Sequence, residues 1–90
     1  MNNLPVGSFV FGDKAIYLSD VDKGIVLYKN VAPKSIHFNA LPYWEKVGIA
    51  SNDEELHKFI SPDLIYSNND CWVAIVYFML DLESEQNMVV

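Results

Sequence analysis

The sequence predicts an α+β fold: a small antiparallel sheet of four to six strands with one main helix packed on it. Three observations carry that expectation. Between residues 8 and 38, short β-branched and aromatic runs alternate with Gly-, Asp- and Asn-rich turns, the pattern of a meander. The segment from Ser51 to Ile60 has the start signals and apolar spacing of a helix, and Cys71–Leu80 is a continuous apolar run.

The first run, Ser8–Phe11, closes at Gly12-Asp13, and the second is Ala15–Leu18. The polar stretch Ser19-Asp20-Val21-Asp22-Lys23-Gly24 then leads into Ile25–Tyr28, and Pro33 breaks the chain before a fourth run, Ser35–Phe38. Links of two to five residues cannot make parallel crossovers, so these strands are expected to pair antiparallel. The Asp20-Val21-Asp22 spacing resembles the start of a calcium loop. However, Ile25 and Val31 stand where Gly and Glu are needed, so the stretch reads as a hairpin turn.

Pro42 is expected to open a single helical turn through Tyr43, Trp44, Glu45 and Lys46, ended by Gly48. Ser51-Asn52-Asp53-Glu54 fits a capping box, with Ser51 as N-cap. Asp53, Glu54 and Glu55 then suit the positive end of the helix dipole, and Leu56, Phe59 and Ile60 line one side. This predicts a helix over about 52–60, stopped by Pro62. Leu64–Tyr66 reads as either a short strand or a second helical turn capped by Ser61. After the turn Ser67-Asn68-Asn69-Asp70, the run Cys71–Leu80 is apolar at odd and even positions alike. Its β-branched and aromatic content predicts a long C-terminal strand over about 71–80, covered on both faces, with Trp72 and Tyr77 pointing opposite ways. Residues 81–90 read as an acidic tail to a single small domain spanning 1–90.

Twelve Asp and Glu stand against six Lys, with no Arg, for a net charge of −6. Residues 1–50 hold five Lys and four acids. Residues 51–90 hold eight acids and only Lys58, so the whole excess lies in the second part. That balance argues against nucleic-acid binding, which needs clustered cations, and against docking on anionic lipid. Cys71 is the one cysteine, which excludes an internal disulfide and makes a structural zinc site an unattractive reading. No signal peptide or membrane-spanning helix is expected, which points to the cytoplasm.

Catalysis would have to start from His37, His57, Cys71 or a serine, and none sits in a nucleophile motif. The four glycines are scattered at turns with no phosphate-cradling loop. No enzyme activity and no cofactor is therefore expected. The preferred reading is an intracellular interaction protein, an acidic inhibitor or antidote that binds a basic functional surface of a partner protein. Asp53, Glu54, Glu55 and Asp63, with Tyr43, Trp44 and Tyr66 as aromatic anchors, form the expected partner-binding set. The absence of Thr and Arg beside eight Asn suggests a phage or mobile element. The alternative is a small-ligand binder that sequesters a nucleotide-like molecule through Tyr43, Trp44, Lys46 and His37, in a pocket between subunits. A greasy strand on a chain this small also predicts a homo-oligomer.

Overall fold

A computed structural model describes residues 3–32 and 42–87, with side chains through residue 85. Four antiparallel strands run in the order β1 (Phe9–Phe11), β2 (Lys14–Ser19), β3 (Gly24–Val31) and β4 (Tyr43–Ala50), a simple meander. Three helices follow: α1 (Asp53–Phe59), α2 (Pro62–Ser67) and α3 (Asn69–Asn87). The α+β class and the antiparallel sheet are as expected. The predicted strand Ser35–Phe38 and the end of the tail, Met88-Val89-Val90, lie outside the described residues.

The first three strands fall where the runs place them, because their turns are locally encoded. Phe11 pairs with Lys14 across a two-residue Gly12-Asp13 hairpin, and Gly12 takes φ 63° at its first position, where glycine carries no Cβ penalty. Ser19 pairs with Gly24 across the four-residue link. There the Ser19 hydroxyl donates to Asp22 Oδ2 (2.8 Å) and accepts from the Asp22 backbone N–H (3.1 Å). This link is a polar hairpin turn, as the sequence predicts.

The fourth strand corrects the expected helical turn at Tyr43–Lys46. Tyr43, Trp44, Glu45 and Lys46 pair with Val31, Asn30, Lys29 and Tyr28, and Gly48 continues the strand opposite Leu27 instead of ending an element. Leu27 and Tyr28 are consecutive, whereas their partners are Gly48 and Lys46, so Val47 is the extra residue of a β-bulge. The bulge shifts the alternation by one and leaves Glu45, Lys46 and Val47 exposed in succession. That breaks the period-2 pattern by which a strand is recognised in sequence.

A second correction concerns the long C-terminal strand. Residues 71–80 are helical, within an α3 that runs on through Asn87 and takes in most of the expected tail. Cys71, Ile75, Phe78 and Leu82 recur at spacings of four, three and four, one stripe of a helix, and this stripe enters the core. Asn68 starts the helix, its Oδ1 accepting the Cys71 backbone N–H at 3.1 Å. Leu64–Tyr66 resolves as helix α2, with Ser61 in the N-cap position but no side-chain cap bond.

Helix α1 lies within the expected 52–60, but its cap is displaced by one residue. Asn52 Oδ1 accepts the Glu55 N–H at 2.9 Å, and Glu55 Oε1 accepts the Ser51 N–H at 3.3 Å. The cap is therefore built from Asn52 and Glu55, not from Ser51 and Glu54, and the Glu55 carboxylate reaches the amide one residue before the N-cap. At the other end of α1, Lys14 Nζ donates to the Phe59 carbonyl (2.9 Å) and stands 5.3 Å from the Phe59 ring centroid, fastening the helix to β2.

The helices cover one face of the sheet. Ile16, Ile25 and Ala50 meet Leu56, Ile60, Ile65, Cys71, Ile75 and Phe78 in one core cluster, flanked by Phe9, Phe11, Leu18 and Leu27. Strand alternation puts Tyr17, Val26, Tyr28, Trp44 and Lys46 on the opposite face. At the mouth of β3, a Cβ added to Gly24 would stand 2.6 Å from Ile49 Cγ2 and 3.0 Å from the Ala50 carbonyl.

Two outcomes follow for urea denaturation. Asn52→Ala should cost about 1 kcal/mol, as N-cap losses do, and Ser51→Ala much less; the reverse order would reinstate Ser51 as the cap. Gly24→Ala should destabilise by about 1–3 kcal/mol, because a β-branched side chain and a backbone carbonyl must both yield.

Candidate functional site

The first turns of α1 and α2 present Asp53, Glu54, Glu55 and Asp63 to solvent. Glu54 has a cation nearby, Lys58 Nζ at 3.9 Å, an exposed i,i+4 pair. Glu55 is engaged in the cap of its own helix, so its role is at least partly structural. Asp53 also lines a cavity of about 400 Å³ together with Lys23, Ser51, Asn52, Met79, Leu82 and Glu83. The N-terminus of α1 thus lies near the C-terminal half of α3.

Lys23 Nζ meets Glu85 Oε2 at 2.8 Å, joining the β2–β3 turn to the end of α3. The hydrogen bond to Glu85 raises the Lys23 pKa above the usual lysine range. Both partners are more than half exposed, so the pair contributes little stability.

Tyr66 joins the three helices. Its ring meets His57 of α1 edge-on at 6.2 Å and Trp72 of α3 edge-on at 6.1 Å, within the range of favourable aromatic pairs. Tyr66, Trp72 and Val76 line a shallow hollow of about 300 Å³. Asp63 and Tyr66 share α2, so part of the expected partner-binding set is brought together there. Tyr43 and Trp44 are not part of that grouping. They stand at the start of β4, an eight-residue strand whose other end, Ala50, leads to α1; that separation is about 23 Å.

Of the expected ligand-binding set, Trp44 and Lys46 share the sheet face away from the helices, where Lys46 is directly opposite Tyr28. Tyr43 alternates to the other side. His37 lies outside the described residues.

Cys71 is fully buried in the core, and burial pushes its thiol up from 9.0 to about 11. A thiol held protonated in apolar surroundings is a poor nucleophile. Among the described residues, no group of three or more His, Cys, Asp or Glu side chains could hold a metal ion. No described helix is long and apolar enough to cross a membrane.

The sequence reading missed the exposed side of α3, where Trp72, Val76, Tyr77 and Leu80 reach solvent. Trp72 and Tyr77 are five residues apart on a helix, about 140° around its axis. Both therefore fall outside the buried stripe, with Val76 and Leu80 at angles between them. The 71/75/78/82 spacing was the available signal, and it becomes visible only when the window extends past Leu80. No protein-family model, curated protein or solved structure matches this chain.

Native Cys71 should react with a thiol reagent at pH 8 orders of magnitude more slowly than the unfolded chain, as followed by absorbance kinetics. Because its folded pKa is raised, its favourable term is complete below pH 9 and lost as pH rises from 9.0 towards about 11, where the unfolded thiol ionises first. Urea midpoints measured across that range should fall, and those of Cys71→Ala should fall less.

Proposed function

We propose that this chain is a non-catalytic interaction protein, an acidic inhibitor or antidote that binds a basic functional surface of a partner protein. The observation that carries this reading is the set of exposed carboxylates at the starts of two helices. Asp53 and Glu54 stand in the first turn of α1 and Asp63 in the first turn of α2, with the exposed Tyr66 one turn further along α2. Two lysines on the sheet side are already engaged, Lys14 with the Phe59 carbonyl and Lys23 with Glu85. Exposed carboxylates steer a cationic partner over a distance of about a Debye length, and an amphipathic ring such as Tyr66 supplies a desolvated anchor.

The test uses Asp53→Asn, Glu54→Gln and Asp63→Asn together, leaving Glu55 in place because it caps α1. A basic partner captured by the wild-type chain from the cells that encode it should bind the triple variant at least tenfold more weakly, with a flatter salt dependence. Equal capture with an unchanged salt slope would refute the reading.

A second reading, a binder that sequesters a nucleotide-like ligand, draws support from Trp44 and Lys46 sharing one sheet face with Tyr28. On this reading, native mass spectrometry of the chain isolated from its own cells should retain a small molecule, and Trp44→Ala should lose it.

A further inference from the structure

The exposed side of α3 is a feature that the acidic-partner reading leaves unused. Between Asp70 and Asp81 the helix carries no charge, and the stripe facing the core uses Cys71, Ile75 and Phe78. The remaining circumference is apolar as well: Trp72 is 38% exposed, Val76 43%, Tyr77 66% and Leu80 54%, and Tyr66 of α2, at 56%, continues the surface through its contact with Trp72. A helix apolar on nearly every side is normally covered on nearly every side.

We propose that two copies of this chain pair through this face, α3 against α3 in antiparallel orientation about a two-fold axis at Val76. The sequence of the face is self-complementary under that operation. Positions 72 and 80 lie equally far from Val76, so the large Trp72 ring of one copy falls on the smaller Leu80 of the other, and Val76 meets its own counterpart. An isologous contact requires this kind of match. Trp72, Val76 and Leu80 follow one another at intervals of four residues, a continuous ridge of the type that interlocks in helix packing.

The area is sufficient for a weak, specific dimer. With about 200 Å² for an aromatic residue and about 100 Å² for an aliphatic one, scaled by exposure, the five side chains offer on the order of 400 Å² per copy. Two copies and their bordering residues then bury about 1,000 Å², the lower limit for a specific interface.

Electrostatics shape this contact without deciding it. The antiparallel arrangement sets Glu83 of each copy beside the N-terminal turn of the other α3, where the helix dipole favours negative charge. Asp70 and Asp81 lie about 120° and 140° around the helix axis from Val76, so neither approaches the two-fold axis.

Sedimentation velocity tests the pairing. The wild-type chain should pass from monomer to dimer as its concentration rises through the micromolar range. Val76→Asp should be monomeric throughout with an unchanged far-ultraviolet circular dichroism spectrum, whereas Val47→Asp, on exposed β4, should still dimerise. If Val76→Asp does not fold, Val76→Cys supplies the second measurement. It should close an intermolecular disulfide under mild oxidation, and Val47→Cys should not. A wild-type chain that stays monomeric would overturn the proposal and leave the face to a different protein. A dimer that survives Val76→Asp would overturn it too. The capture result for Asp53, Glu54 and Asp63 is independent of each of these outcomes.

Discussion

The fold depends on one burial. Ile16, Ile25 and Ala50 of β2, β3 and β4 are buried in one cluster with Cys71, Ile75 and Phe78 of α3. The two short helices extend this cover, with Leu56, Ile60 and Ile65 filling the space beside the long one. Neither α1 nor α2, at seven and six residues, would be helical alone in water. Their caps and the bond from Lys14 to the Phe59 carbonyl orient them, while the shared core holds them.

The same burial sets the electrostatics. The core cluster holds only apolar side chains, so the acids of the second half collect at helix starts and along the end of α3. Negative charge in the first turns of α1 and α2 suits their dipoles. At the end of α3 it does not, since Glu83 and Glu85 stand at the negative end and no cation occupies the last turn. Lys23, reaching over from the β2–β3 turn to Glu85, compensates in part and links the two halves of the chain. The charge split visible in the sequence is thus a split between layers: a nearly neutral sheet and an acidic set of helices.

Elements whose signals are local were legible in the sequence. The Gly12-Asp13 hairpin, the Ser19–Gly24 turn and α1 are specified by residues within a few positions of one another. The start of α1 was misplaced by one residue because Ser51 and Asn52 are both good caps, and backbone geometry chooses between them. The strand β4 was not legible, since a bulge at Val47 destroys the alternation and Gly48 imitates a terminator. The run 71–80 was read as a strand because composition outweighed spacing; an apolar helix with a second exposed face has almost no amphipathic contrast to detect. For the candidate site, Asp63 and Tyr66 are close in the chain and share α2. The contacts of Tyr66 with His57 and Trp72 join three different helices and have no local signal.

By itself, the sequence determined the α+β class, the antiparallel meander of the first three strands, the helix after Asn52 and the acidity of the second half. Each of these follows from short-range sterics, capping bonds or simple charge counting. Tertiary structure alone decided that residues 71–80 are helical, that Tyr43–Ala50 completes the sheet, and which apolar side chains remain outside. The reason is that burial is a property of pairs of surfaces. A ten-residue apolar run can satisfy itself as strand or as helix, and only the shape of the sheet it must cover selects between them.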